Sequence, residues 1–119
     1  MSAKVNLNIE NTINFAFSAD RAEEAILKIL NENKLEGTFE VDLKIVGVRE
    51  IHLLNEGYRD IDKPTDVLSF PIHEKVESGS DIPTLLGDII LCPEMAEDDI
   101  YKLIEHSTLH LIGIHHPGD

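Results

Sequence analysis

A chain of 119 residues provides material for one domain with a single buried core, and an apolar share of 42% beside 28% charged residues is ordinary for a globular protein and excludes disorder as the default. With 23 acidic against 10 basic side chains the formal charge is −13, which repels phosphate on average and argues against nonspecific coating of nucleic acid, while leaving room for a local cationic cleft. The opening MSAKVNLNIENTINFAF holds no apolar signal core, no run of eighteen apolar residues follows, and the one cysteine, Cys92, cannot close an internal disulfide, so a cytoplasmic protein that neither spans a membrane nor is secreted is expected.

In chain order, Val5, Leu7 and Ile9 alternate with polar neighbours and predict a half-buried strand. Ser18 or Asp20 then caps a helix running to about Asn33, with Ala22, Ala25, Ile26, Ile29 and Leu30 on its apolar face, and Gly37 closes the connection. Val41, Leu43 and Ile45 alternate again as a second strand, and residues 48–58 read as a helix with Ile51, Leu54 and Tyr58 at helical spacing. The turn-rich stretch RDIDKPTD follows, in which Pro64 pushes Lys63 out of helical geometry before the short strand VLSF. Residues 73–85 predict a flexible loop with Ser78, Gly79 and Ser80 at its tip, and LLGDIILC reads as a buried central strand in which Cys92 is a small hydrophobe. Pro93 ends that strand and suits the start of the last helix, where Ile100, Leu103, Ile104 and Leu111 face the core and Gly113 takes the C-terminal cap.

His106 and His110, four apart, project from one face of that helix, close enough for both imidazoles to reach one ion. His116 follows six residues later, and a left-handed Gly113 lets the chain swing it back as a third ligand. Three neutral imidazoles suit Zn2+ and leave its fourth position and full charge available, a catalytic arrangement that can lower the pKa of bound water to about 7. His115, adjacent to His116, is expected to point elsewhere, as a surface residue or one that supports a ligand, and His52 and His73 have no partner in the sequence and read as solvated or satisfied. The spacing is also that of metzincin proteases, but those need Glu after the first histidine and here Ser107 stands there, while Glu105 faces another way.

Arg59 in the polar turn, with Lys63 nearby, suits planar bidentate recognition of phosphate; taken alone it reads as an ion-pair partner of Asp60 or Asp62. The blocks YRDIDKPTDVLSFP at 58–71, LLGDIILCP at 85–93 and HSTLHLIGIHH at 106–116, in this order, resemble the YbeY family of rRNA maturation factors. The resemblance covers roughly the second half of the chain; the first half shares only the strand and helix pattern. It implies an α+β fold, a small mixed sheet packed with helices, in a single domain over residues 1–119, with the metal site on the last helix and the turn after it. It further implies a cytoplasmic zinc-dependent endoribonuclease that cuts single-stranded RNA in maturation of the 16S rRNA 3′ end and in ribosome quality control. One Zn2+ per chain would be held by His106, His110 and His116, with Arg59 catalytic. The partners would be rRNA and the ribosome or its small-subunit proteins, with neither DNA nor membrane.

Three departures from the family pattern stand out. His115 takes the place of an Asp before the third histidine, the segment from Cys92 to His106 is shorter, and the chain stops at Asp119 where relatives often continue into an acidic helical tail. They bear on metal affinity and ribosomal contacts rather than on ligand identity. Two other functions compete: a zinc metalloprotease or other zinc hydrolase, and a ribosome-assembly factor whose metal is chiefly structural.

Overall fold

Alternation puts Ala3, Val5 and Leu7 on the core side of β1 (Ala3–Asn11) and leaves Ile9 partly in solvent. The computed structural model describes residues 2–114, and His115 and His116 lie outside that range. Ser18 caps α1 (Ala19–Glu32), its hydroxyl accepting from the Arg21 N–H, and the five apolar positions expected on this helix are the five it buries. Gly37 opens β2 (Gly37–Ile45). The helix α2 (Val48–Arg59) precedes β3 (Val67–Pro71) and β4 (Thr84–Leu91), and α3 (Ile100–Leu111) follows.

The four strands make one mixed sheet in the order β1-β2-β4-β3, with β1/β2 and β2/β4 parallel and β3/β4 antiparallel. An α+β fold with a small mixed sheet is therefore what the chain adopts. The apolar stretch Ile89–Leu91 at the end of β4 is buried on both faces, while Asp88 is exposed. Leu86, Ile89 and Leu91 join the larger core with α1 and α3, while Ile90 and Cys92 join a smaller one with Val46, Ile51 and Leu68 beneath α2.

Four expectations need correction. Pro93 opens a separate 3-10 turn (Pro93–Met95), and α3 starts only at Ile100, because Asp99 supplies the cap by accepting from the Tyr101 N–H at 2.8 Å. The loop 73–85 is tied down, since Val76 is buried, Ser78 Oγ accepts from the Glu36 N–H at 2.7 Å, and the Gly79 N–H donates to the Glu36 carbonyl at 2.8 Å. Tyr58 is 71% exposed, because only the edge strand β3 lies beneath the last turn of α2; Asn55 is buried instead, donating to the Lys63 carbonyl at 2.9 Å. Arg59 belongs to that last helical turn rather than to the polar turn, which begins at Asp60 in the left-handed conformation (φ 58°).

Candidate functional site

The rotation of α3 is set by its contacts with α1. The Ser18 N–H donates to Tyr101 Oη at 2.9 Å, the Arg21 guanidinium stands 4.0 Å over the Tyr101 ring, and Lys28 pairs with Glu105 at 2.9 Å. Ile104 and Leu111 are buried with the sheet, and Ser107 and Thr108 are buried between them. This leaves His106 and His110 on the side of α3 that looks over β3, their ring centroids 4.6 Å apart and nearly edge to face. Glu105 does face away from them, toward Lys28.

Alternation along β3 supplies the next contact. Leu68 and Phe70 pack toward α2, so Ser69 points to the opposite face and its hydroxyl meets His110 Nδ1 at 3.2 Å. In the tautomer that ligates through Nε2, Nδ1–H donates to Ser69 Oγ, the usual way a metal-binding imidazole is oriented. Nothing in the sequence singles out Ser69. Its strand position was visible, but which helix lies over that face was not.

A cleft of about 430 Å³ runs along β3, with Tyr58 and Arg59 of α2 on one wall and His106, Ser107 and His110 of α3 on the other. Arg59 and the histidine pair, 47 residues apart in sequence, thus share one cavity. Asp62 does not neutralise Arg59: among the described residues it pairs with His52, Nε2 to Oδ1 at 2.8 Å, and Arg59 takes part in none of the ion pairs. The Ser107 hydroxyl is buried without a hydrogen-bond partner among the described residues. His73 is exposed and lines a smaller hollow beside His110 and Gly113.

The donor chemistry on α3 fits a zinc ion, with two imidazoles one helical turn apart and one of them held by a hydroxyl. The third expected ligand, His116, lies outside the described residues. Among the described residues, the one group of three whose ligand atoms approach closely enough to hold an ion is elsewhere: His52 and Glu56 on α2 with Asp62 after it, all within 4.8 Å. The hydrogen bond from His52 holds the Asp62 carboxyl below its ordinary pKa. Asp62 is 81% exposed, and its bond to His52 accounts for the proximity; His52 is thus a satisfied histidine, as expected.

Fold and cleft define a small α+β protein that sets two imidazoles and a guanidinium about an edge strand, a donor set for a transition metal beside an anionic substrate. Residues 6–119 match the protein family described as Endoribonuclease YbeY, and the chain belongs to that family. It is 37% identical to the Endoribonuclease YbeY of Halalkalibacterium halodurans, over 97% of this chain and 86% of that one. It is 38% identical to the protein of the same name in Desulfitobacterium hafniense, over 79% of this chain and 69% of the relative. A solution structure of a Thermotoga maritima protein is similar at 26% identity with a TM-score of 0.42, covering 92% of this chain and 63% of that one. No helix among the described residues is long and apolar enough to cross a membrane.

Proposed function

We propose that this chain is a zinc-dependent endoribonuclease that cuts single-stranded RNA, with His106, His110 and His116 holding one ion and Arg59 holding a substrate phosphate. The observation that carries the reading is the shared cleft, which sets Arg59 opposite the histidine pair in a chain belonging to the YbeY family. Maturation of the 16S rRNA 3′ end and ribosome quality control, in the cytoplasm and in contact with the ribosomal small subunit, complete the proposal.

The chain's own groups divide the work. Arg59 presents a planar fork to two phosphoryl oxygens, where negative charge grows as the phosphodiester is cleaved. Ser69 holds His110 in one orientation. Zinc, when bound, supplies a Lewis acid and lowers the pKa of a water. A protease reading lacks its proton acceptor, since Ser107 occupies the position after His106 and Glu105 is engaged by Lys28.

The test is elemental analysis of the purified protein together with cleavage of single-stranded RNA, duplex RNA and peptide. About one zinc per chain, cleavage of the single strand and resistance of duplex and peptide are expected. Peptidase activity lost on chelation with RNA untouched would turn the assignment to a protease. Ribosome binding with negligible RNA cleavage would turn it to an assembly factor.

A further inference from the structure

Across the wall made by Tyr58 and Phe70, on the side away from the histidines, lies a second hollow of about 290 Å³. Leu54, Phe70 and Ile90 give it apolar surface, and Lys44 and Asp88 stand at its polar side, Lys44 being held by Glu50 at 2.7 Å. Tyr58 borders both cavities. Its ring lies against Phe70 at 5.1 Å between centroids and 61° between planes, so it is braced in place while 71% of the residue remains exposed.

An aromatic side chain left in solvent by the fold gives up the stabilisation that burial would bring, and its next neighbour in sequence is the arginine of the cleft. We propose that Tyr58 is a stacking shelf for a nucleobase of the substrate, with the hollow of Leu54, Phe70, Ile90 and Asp88 receiving that base while Arg59 takes an adjoining phosphate. The requirement for a single strand follows from this geometry. A base must leave its helical stack to lie on Tyr58, which an unpaired nucleotide does at little cost and a duplex resists. Polar groups at the rim of the hollow then meet the edge of the base. Sequence preference at that nucleotide is expected to be mild, since every base has a face to stack.

The inference rests on RNA as substrate, and its test separates the two. The chain contains no tryptophan, so Tyr58→Trp introduces a single reporter at the shelf. The Tyr58→Trp protein is titrated with a short single-stranded RNA carrying 2′-O-methyl groups, which resist cleavage, and with an abasic chain of the same backbone and length. The RNA should quench the tryptophan and the abasic chain should not. Tyr58→Ala should weaken RNA binding about tenfold, within the range for one stacked base, while Tyr58→Phe keeps it. In cleavage, Tyr58→Ala should raise KM by a similar factor with kcat little changed, and the melting temperature should hold because the residue is exposed. Equal quenching by the abasic chain, or unchanged KM and affinity in Tyr58→Ala, overturns the shelf even if the protein cuts RNA. Base-dependent quenching in a protein that never cuts RNA sustains the shelf and removes the nuclease assignment alone.

Discussion

Arg59 sits in the last turn of α2, exposed, outside any ion pair among the described residues, and on the wall of the histidine cleft. Its replacement by alanine should leave zinc content and melting temperature near wild type, within about 0.5 kcal/mol of stability. RNA cleavage should fall far more, and Arg59→Lys should recover only part of it, because an ammonium keeps the charge and loses the fork. Retained cleavage in Arg59→Ala would make the arginine a surface residue. The two possible homes for a metal also part at single residues: His106→Ala and His110→Ala should release the ion, and His52→Ala should retain it. Metal lost from the His52 variant alone would move the centre to α2. Ser69→Ala should lower zinc affinity by roughly 10–100-fold, the usual loss when the partner that orients a ligand is removed. Competition with a chelator measures that without reference to activity.

At the scale of elements, the site depends on how closely β3 approaches β4 and how α3 ends. Gly87 pairs with Pro71 beside the bulge that inserts Leu86 into β4, and its φ is +140°. A Cβ there would lie 2.2 Å from the Phe70 carbonyl oxygen. Gly87→Ala should therefore destabilise the protein by at least about 2 kcal/mol in denaturant unfolding and displace the strand that carries Ser69 and Phe70. The end of α3 closes with the Gly113 N–H donating to the His110 carbonyl at 3.0 Å and the Ile114 N–H to that of Leu109 at 2.9 Å, with Gly113 at φ +89°. A left-handed Gly113 is thus what the sequence led one to expect. The same turn packs under the 73–85 loop, where a Cβ on Gly113 would come within 2.6 Å of the Glu74 carbonyl.

For the whole molecule, a charge of −13 makes the open face of the sheet a place where carboxylates meet. Asp42 and Asp88 are register partners on β2 and β4, and partial burial first, then the facing Asp42, push the Asp88 carboxyl above its ordinary pKa. Between its unfolded and folded values the folded state holds a proton that the unfolded chain has lost, so stability is whole below about pH 4 and diminishes as pH rises through the folded value. Asp88→Asn should accordingly raise the melting temperature at pH 7, with the gain vanishing below about pH 4; an unchanged difference across that range would discount the pair. Sequence periodicity determined the four strands and three helices in outline, though not where α3 begins, and the apolar face of α1, because burial needs only a repeating pattern of side chains along one local segment. It also marked Arg59 and the histidines as residues with chemistry to offer, since residue type and helical spacing are local facts. The pairing order β1-β2-β4-β3, the anchoring of the 73–85 loop, the bond from Ser69 to His110 and the exposure of Tyr58 came only with the tertiary structure. Each depends on which elements lie against which face, and that is decided by packing between segments tens of residues apart rather than by any spacing within one of them.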